Sequence, residues 1–170
     1  AYSPAEQAVP QHLVDVHDHL RGELTQLRDI VGQVRRGTMS TGAARSVINT
    51  MAMRQNNWTL GAYCETYCRL VTGHHTLEDR SIFVHLRGAE PDLGPVLDRL
   101  EQEHHVIADV LEQVDDALVA LVGTSGYGRA GEGALDEIQR ALDLLTDTLL
   151  SHLAYEEREL LHPLARHGFG

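Results

Sequence analysis

His74 and Glu78 stand four residues apart in His74-His75-Thr76-Leu77-Glu78-Asp79, and His152 and Glu156 repeat that spacing in His152-Leu153-Ala154-Tyr155-Glu156. On an α-helix this places an imidazole and a carboxylate one above the other on the same face. Neutral imidazoles supply nitrogen donors, and each glutamate can bridge two cations while offsetting their charge. Such pairs on facing helices, with no thiolate, suit a pair of iron or manganese ions. The plainer alternative is that each polar group is satisfied separately by hydrogen bonds, as a lone core histidine usually is. Two pairs together are harder to explain that way, because unpaired carboxylates in a core are strongly destabilising.

Positioning these groups requires long helices, and the apolar periodicity predicts four. Ser3-Pro4-Ala5-Glu6 has the form of a helix start, with Ser as cap, Pro in the first turn and Glu three residues after the Ser. Pro10 is expected to interrupt it, so the first long helix is placed at about residues 11–36, with the stripe Leu13, Val16, Leu20, Leu24, Leu27, Val31 and Val34. At about 100° per residue His17 falls on that stripe, whereas His12 and His19 fall off it. After a turn over Gly37–Gly42, a short extra helix or loop is expected around Ala43–Met53, with a bend at Asn56-Asn57. The second long helix runs from about Trp58 to Arg87, with Tyr63, Tyr67, Leu70, His74, Glu78 and His85 along one line.

Gly88-Ala89-Glu90-Pro91 ends that helix. The third, at about 92–122, carries Val96, Leu97, Leu100, Ile107, Leu111, Val114 and Leu118 on one side with His104 among them. Glycine-rich residues 123–133 form the longest loop. The fourth helix, at about 134–166, puts Ile138, Leu142, Leu145, Leu149, His152, Glu156 and Leu160 on one face. No stretch alternates as a strand would. The fold class is therefore all-α, an up-down-up-down four-helix bundle forming a single domain over residues 1–170. In that arrangement His17, His74, His104 and His152 lie about 9–21 Å from one end. Inward histidines from four helices then meet near one layer.

Composition narrows the function. A net charge of −11 argues against nucleic acid as a partner, since phosphates are contacted mainly by Lys and Arg. No apolar run has the length of a membrane span, so no membrane partner is expected. The first residues show no secretory pattern, and Cys64 and Cys68, one helical turn apart, make no disulfide framework. A reducing, cytoplasmic setting is expected. The eleven histidines make nitrogen donors plentiful where sulfur donors are scarce.

From about His12 to Pro163 the chain resembles the hemerythrin-like (HHE cation-binding) domain family. The likeness rests on His17-Asp18-His19-Leu20-Arg21, on His74-His75-Thr76-Leu77-Glu78-Asp79 with Phe83 beyond it, on Glu103-His104, and on His152-Leu153-Ala154-Tyr155-Glu156-Glu157 leading to Pro163. The resemblance implies a non-haem centre of two iron ions, carboxylate- and oxo- or hydroxo-bridged, with an open position for dioxygen, peroxide or nitric oxide. His17, His74, His104 and His152 would be terminal ligands, and Glu78 and Glu156 the bridges. The implied function is binding, buffering or sensing of dioxygen, a related small ligand or iron.

Two departures from the oxygen carriers stand out. They place a further His four residues after that of the third helix, where this chain has Ala108, and the last carboxylate follows His152 by four residues rather than five. A missing nitrogen donor would leave one metal with an extra position, which is what peroxide or oxygen chemistry requires. A di-iron oxidoreductase acting on peroxide, nitric oxide or an organic substrate is accordingly the second reading, and a redox-inert helical module with zinc or no metal the third. Tyr67 and Tyr155 could fill the gap as phenol ligands, but half-buried packing is the simpler role for them. His85 and Glu159 are expected to face inward as outer partners or polar groups at the bundle end. His75 and His105 belong at the helix margin, at the surface or behind the ligands. Cys64 and Cys68 are expected as small buried residues.

Overall fold

The computed structural model describes residues 2–39, 46–123 and 128–168. Helix α1 spans Pro4–Met39, α2 Ser46–Leu77, α3 Phe83–Ala89, α4 Gly94–Gly123 and α5 Gly128–His167. A π-helical turn, Glu78–Ile82, joins α2 to α3 without a break, and a 3₁₀ turn, Pro91–Leu93, precedes α4. No strand occurs among the described residues, so the chain is all-helical with four long helical runs.

The ends of these helices follow from their sequence. Ser3 and Glu6 form a reciprocal cap: the Ser3 backbone N–H donates to Glu6 Oε2 at 2.6 Å, and the Glu6 N–H donates to Ser3 Oγ at 3.2 Å. Pro10 does not interrupt α1 as expected. It costs one hydrogen bond near the start of the helix, and a helix of 36 residues outlasts that loss. Gly168 closes α5 in the left-handed region, with φ of 66° and its N–H on the Leu164 carbonyl at 2.8 Å.

Residues 40–45 lie outside the described residues, so part of the expected Ala43–Met53 helix does too. From Ser46 onward the backbone already belongs to α2, which passes through Asn56-Asn57 without ending. Residues 124–127 of the expected long loop are likewise outside, and helix resumes at Gly128, earlier than position 134.

The chain forms two compact units that share the long helices in sequence. The first comprises residues 1–22, 70–108 and 147–170; the second comprises 23–69 and 109–146. In the first, Leu13 of α1, Phe83 and Leu86 of α3, Leu97 and Leu100 of α4, and Leu160 and Leu164 of α5 pack into one buried cluster. Arg87 ties α3 to α4 through Asp98 at 2.8 Å and Glu101 at 3.1 Å. In the second unit Leu27, Val31, Leu60, Val114, Leu135 and Ile138 are fully buried. Arg28 pairs with Asp143 at 2.8 Å and Arg35 with Asp136 at 2.9 Å, so basic residues of α1 meet acidic ones of α5. No helix among the described residues is long and apolar enough to cross a membrane.

Candidate metal centre

The first unit gathers its polar groups in the interior. His17, Glu78 and Glu156 are fully buried, His152, His75 and His104 nearly so, and His74 is 9% exposed at its side chain. Their donor atoms form two groups, each drawn together within 4.8 Å: His75, Glu78, His104 and His152 in one, and His17, His74, Glu78 and Glu156 in the other. All six residues expected from the sequence are brought together. His75 joins them.

The distances show how the groups interlock. His17 Nε2 lies 3.2 Å from His74 Nε2, and His104 Nε2 lies 3.1 Å from His152 Nε2. Glu78 Oε1 is 3.4 Å from His74 Nε2 and 3.2 Å from His104 Nε2. Glu156 Oε2 is 3.7 Å from His17 Nε2 and 3.5 Å from His152 Nε2. Each carboxylate therefore reaches from one histidine pair to the other.

The outer nitrogens settle which way the inner ones point. His17 Nδ1 faces Glu157 Oε2 at 3.1 Å, His104 Nδ1 faces Asp79 Oδ1 at 2.7 Å, and His152 Nδ1 faces Glu103 Oε1 at 2.9 Å. An ionised carboxylate only accepts, so each Nδ1 carries the proton and each Nε2 presents a lone pair inward. For the His104–His152 pair two lone pairs then face each other at hydrogen-bond distance with no proton between them. A cation resolves that: ligands at right angles on one ion, each about 2.1 Å from it, lie about 3 Å apart. The fit extends to the other donors. Both oxygens of Glu78, both of Glu156 and His75 Nε2 are buried without a hydrogen-bond partner, which a cation would supply.

Burial also sets the protonation. It lowers the His17 imidazole to about 4 against the pull of Glu157, His74 to about 3 and His104 to about 2. His75 is lowered too, by burial first and then by His104, and His152 is lowered by burial against the pull of Glu103. All are held in the neutral form that ligates metal. Burial raises Glu156 well above the usual carboxylate range, with Glu157 beside it adding to the effect. Burial and the neighbouring Glu101 raise Asp79 to about 6.

His75 was expected at the helix margin together with His105. His105 is exposed, but His75 is buried, stacked on His104 with ring centroids 3.9 Å apart and edge-on to His152 at 5.0 Å. The buried line from Leu60 to Glu78 keeps Tyr67 and Glu78 of the expected one but takes Cys64, Val71 and His75 in place of Tyr63, Leu70 and His74, and Leu70 is 38% exposed. The π turn then adds a residue. Phe83 N–H bonds to the Glu78 carbonyl five residues back, which lets Glu78 and Phe83 both be fully buried. Leu86 faces the core in place of His85. His85 is half-buried, with Nε2 3.2 Å from the His167 carbonyl oxygen. Glu159 does not face inward; it is 35% exposed and pairs with Arg158. The spacing His75-x-x-Glu78, with Phe83 five residues on, was the available signal for both features.

Ala108 is exposed, so the helix does not direct that position toward the cluster. Tyr155 packs against the leucine cluster with the Arg99 guanidinium 4.0 Å over its ring. Tyr67 is buried within the second unit. Cys64 is buried, Cys68 partly so, and both are free; burial pushes the thiols up to about 12 and about 11, which keeps them protonated.

Buried histidines and carboxylates in two linked groups, within an all-helical fold, define a helical protein with a candidate metal site. The Hemerythrin HHE cation binding domain family matches residues 8–165, nearly the whole chain, and the chain belongs to that family. No curated protein and no solved structure matches it significantly.

Proposed function

We propose that the chain holds two iron ions, bridged by Glu78 and Glu156, and binds dioxygen or a related small ligand as a carrier, buffer or sensor. The observation that carries this reading is the unequal sharing of donors. His75, His104 and His152 serve one position, His17 and His74 the other, and Glu78 belongs to both groups. Glu156 groups with His17 and His74, but its Oε2 also lies 3.5 Å from His152 Nε2; with it bridging as Glu78 does, the His17–His74 position has one nitrogen fewer and is the one left for an exogenous ligand. His74 is also the most exposed of the seven residues, so that position lies nearest solvent. When bound, an iron pair supplies electrons that a diatomic ligand can accept and return. The polypeptide's part is to hold five neutral imidazoles with their Nε2 atoms inward, with Phe83 stacked over the His104 ring at 5.5 Å between centroids. The packing of the first unit also supports consecutive helices running up-down-up-down within it.

The oxidoreductase reading rested on the nitrogen lacking at Ala108. With His75 as the fifth nitrogen that shortfall is gone, and carriage or sensing becomes the better-supported role. The experiment is metal analysis with optical spectroscopy of the protein loaded anaerobically with ferrous iron. Two irons per chain, and a spectrum that dioxygen changes and evacuation restores, are expected. Catalytic consumption of oxygen or peroxide would move the assignment to an enzyme, and absence of iron binding would remove both readings.

A further inference from the structure

Three carboxylates outside the donor set, Glu103, Asp79 and Glu157, each hold the Nδ1–H of one ligand histidine, and they are not equivalent. Glu103 gives Oε1 to His152 and its other oxygen, Oε2, to Arg99 Nε at 3.3 Å. Asp79 gives Oδ1 to His104 at 2.7 Å and has no Lys or Arg in ion-pair contact among the described residues. Glu157 is different: the oxygen that faces His17, Oε2, is also the one gripped by Arg21, which in turn holds Asp18 at 2.8 Å. A carboxylate on Nδ1–H draws on that proton and makes Nε2 a stronger donor. A guanidinium on the same oxygen competes for its electron density and weakens that backing.

Resting on the two-ion reading above, we infer that Glu103, Asp79 and Glu157 are positioning residues that grade the two metal positions, so that the position built by His75, His104 and His152 fills first and the His17–His74 position fills second, held weak by Arg21. With Glu78 and Glu156 both bridging, as proposed above, both differences act in one direction. The first position has three nitrogens, two of them backed by carboxylates whose bonded oxygen is not shared with an arginine. The second has two, and the only carboxylate backing there among the described residues, on His17, is shared with Arg21. The second position is also the one nearest solvent through His74. The centre therefore loads and unloads one ion at this outer position while keeping the other.

The test is an anaerobic optical titration of the metal-free full chain with Co(II), paired with ¹⁵N-detected NMR of its histidine rings. Wild-type protein is expected to take two ions in two resolved steps. Glu103→Gln and Asp79→Asn, which keep an acceptor but remove charge, should weaken the first step by about tenfold to a hundredfold. Glu157→Gln should weaken only the second. Arg21→Gln breaks an ion pair yet should tighten the second step, by up to about tenfold, a gain that a merely structural role would not produce. In the metal-free wild type, His17, His104 and His152 should carry their proton on Nδ1; this readout needs neither variants nor metal. Two ions taken up with a single affinity, a weakened or unchanged second step in Arg21→Gln, or Nε2–H tautomers at these three rings would overturn the inference while leaving the two-ion reading intact. No Co(II) uptake would overturn both.

Discussion

Replacing His75 by Leu should move the metal-free and metal-loaded proteins in opposite directions. In the metal-free chain His75 Nε2 is buried with no hydrogen-bond partner. Such a group costs about 1–3 kcal/mol, which an apolar side chain of similar volume recovers. Against this, the substitution loses the stack on His104 and the edge contact with His152, worth about 0.5–1.5 kcal/mol. The net is a metal-free protein more stable by about 1 kcal/mol, or a Tm higher by about 2–4 °C for a chain of this size. With metal present the variant lacks one of five nitrogens. A ligand should matter at least as much as the groups behind it, so affinity at that position should fall by at least about a hundredfold. That removes about 2.7 kcal/mol of metal-dependent stabilisation. Scanning calorimetry with and without Fe(II), anaerobically, reads both effects, and His105→Leu at an exposed position serves as the comparison. A metal-free Tm that drops together with an unchanged metal-induced increment would mean that His75 is a packing residue, and the five-nitrogen centre would be wrong.

The metal-free protein should lose stability on mild acidification. Burial depresses His17 from 6.5 to about 4 and His74 to about 3, so below pH 6.5 the unfolded chain binds protons that the folded one does not. The stability these residues contribute is present above pH 6.5 and is lost as pH falls toward 4, about 3 kcal/mol for His17 alone. Glu156, raised by burial, acts in the reverse sense above pH 4.5 but is outnumbered. Urea denaturation at pH 7, 5.5 and 4.5 should show the midpoint falling; a flat profile would contradict neutral buried imidazoles. Glu78→Gln should cut bound metal from two ions per chain to one or none by elemental analysis, whereas Glu159→Gln, outside both donor groups, should leave two. Ala108→His should change neither metal stoichiometry nor the lifetime of an oxygen adduct, because position 108 is exposed; a longer lifetime would place that residue inside.

The four long helices were legible because each carries an apolar stripe at the 3.6 period, a signal local to the helix. The Ser3–Glu6 cap was readable for the same reason. Pro10 and the glycines near position 130 misled about helix ends, since helical propensity is a weak prior that a long helix can override. Inward placement of His17, His104, His152, Glu78 and Glu156 also came from periodicity, each lying on its stripe.

Tertiary structure alone decided the rest. A fixed 100° per residue cannot express the extra residue of the π turn at Glu78–Ile82, so His85 and Leu86 were exchanged beyond it. Residues at the margin of a face, such as His75 and His105, differ in fate only through what neighbouring helices present: His104 and His152 cover the first, and solvent meets the second. The carboxylates on Nδ1 make the same point. Glu103 reaches His152 across 49 positions, and Glu157 reaches His17 across 140. Periodicity says which way a side chain points from its own helix, while the partner it meets depends on the packing of distant segments.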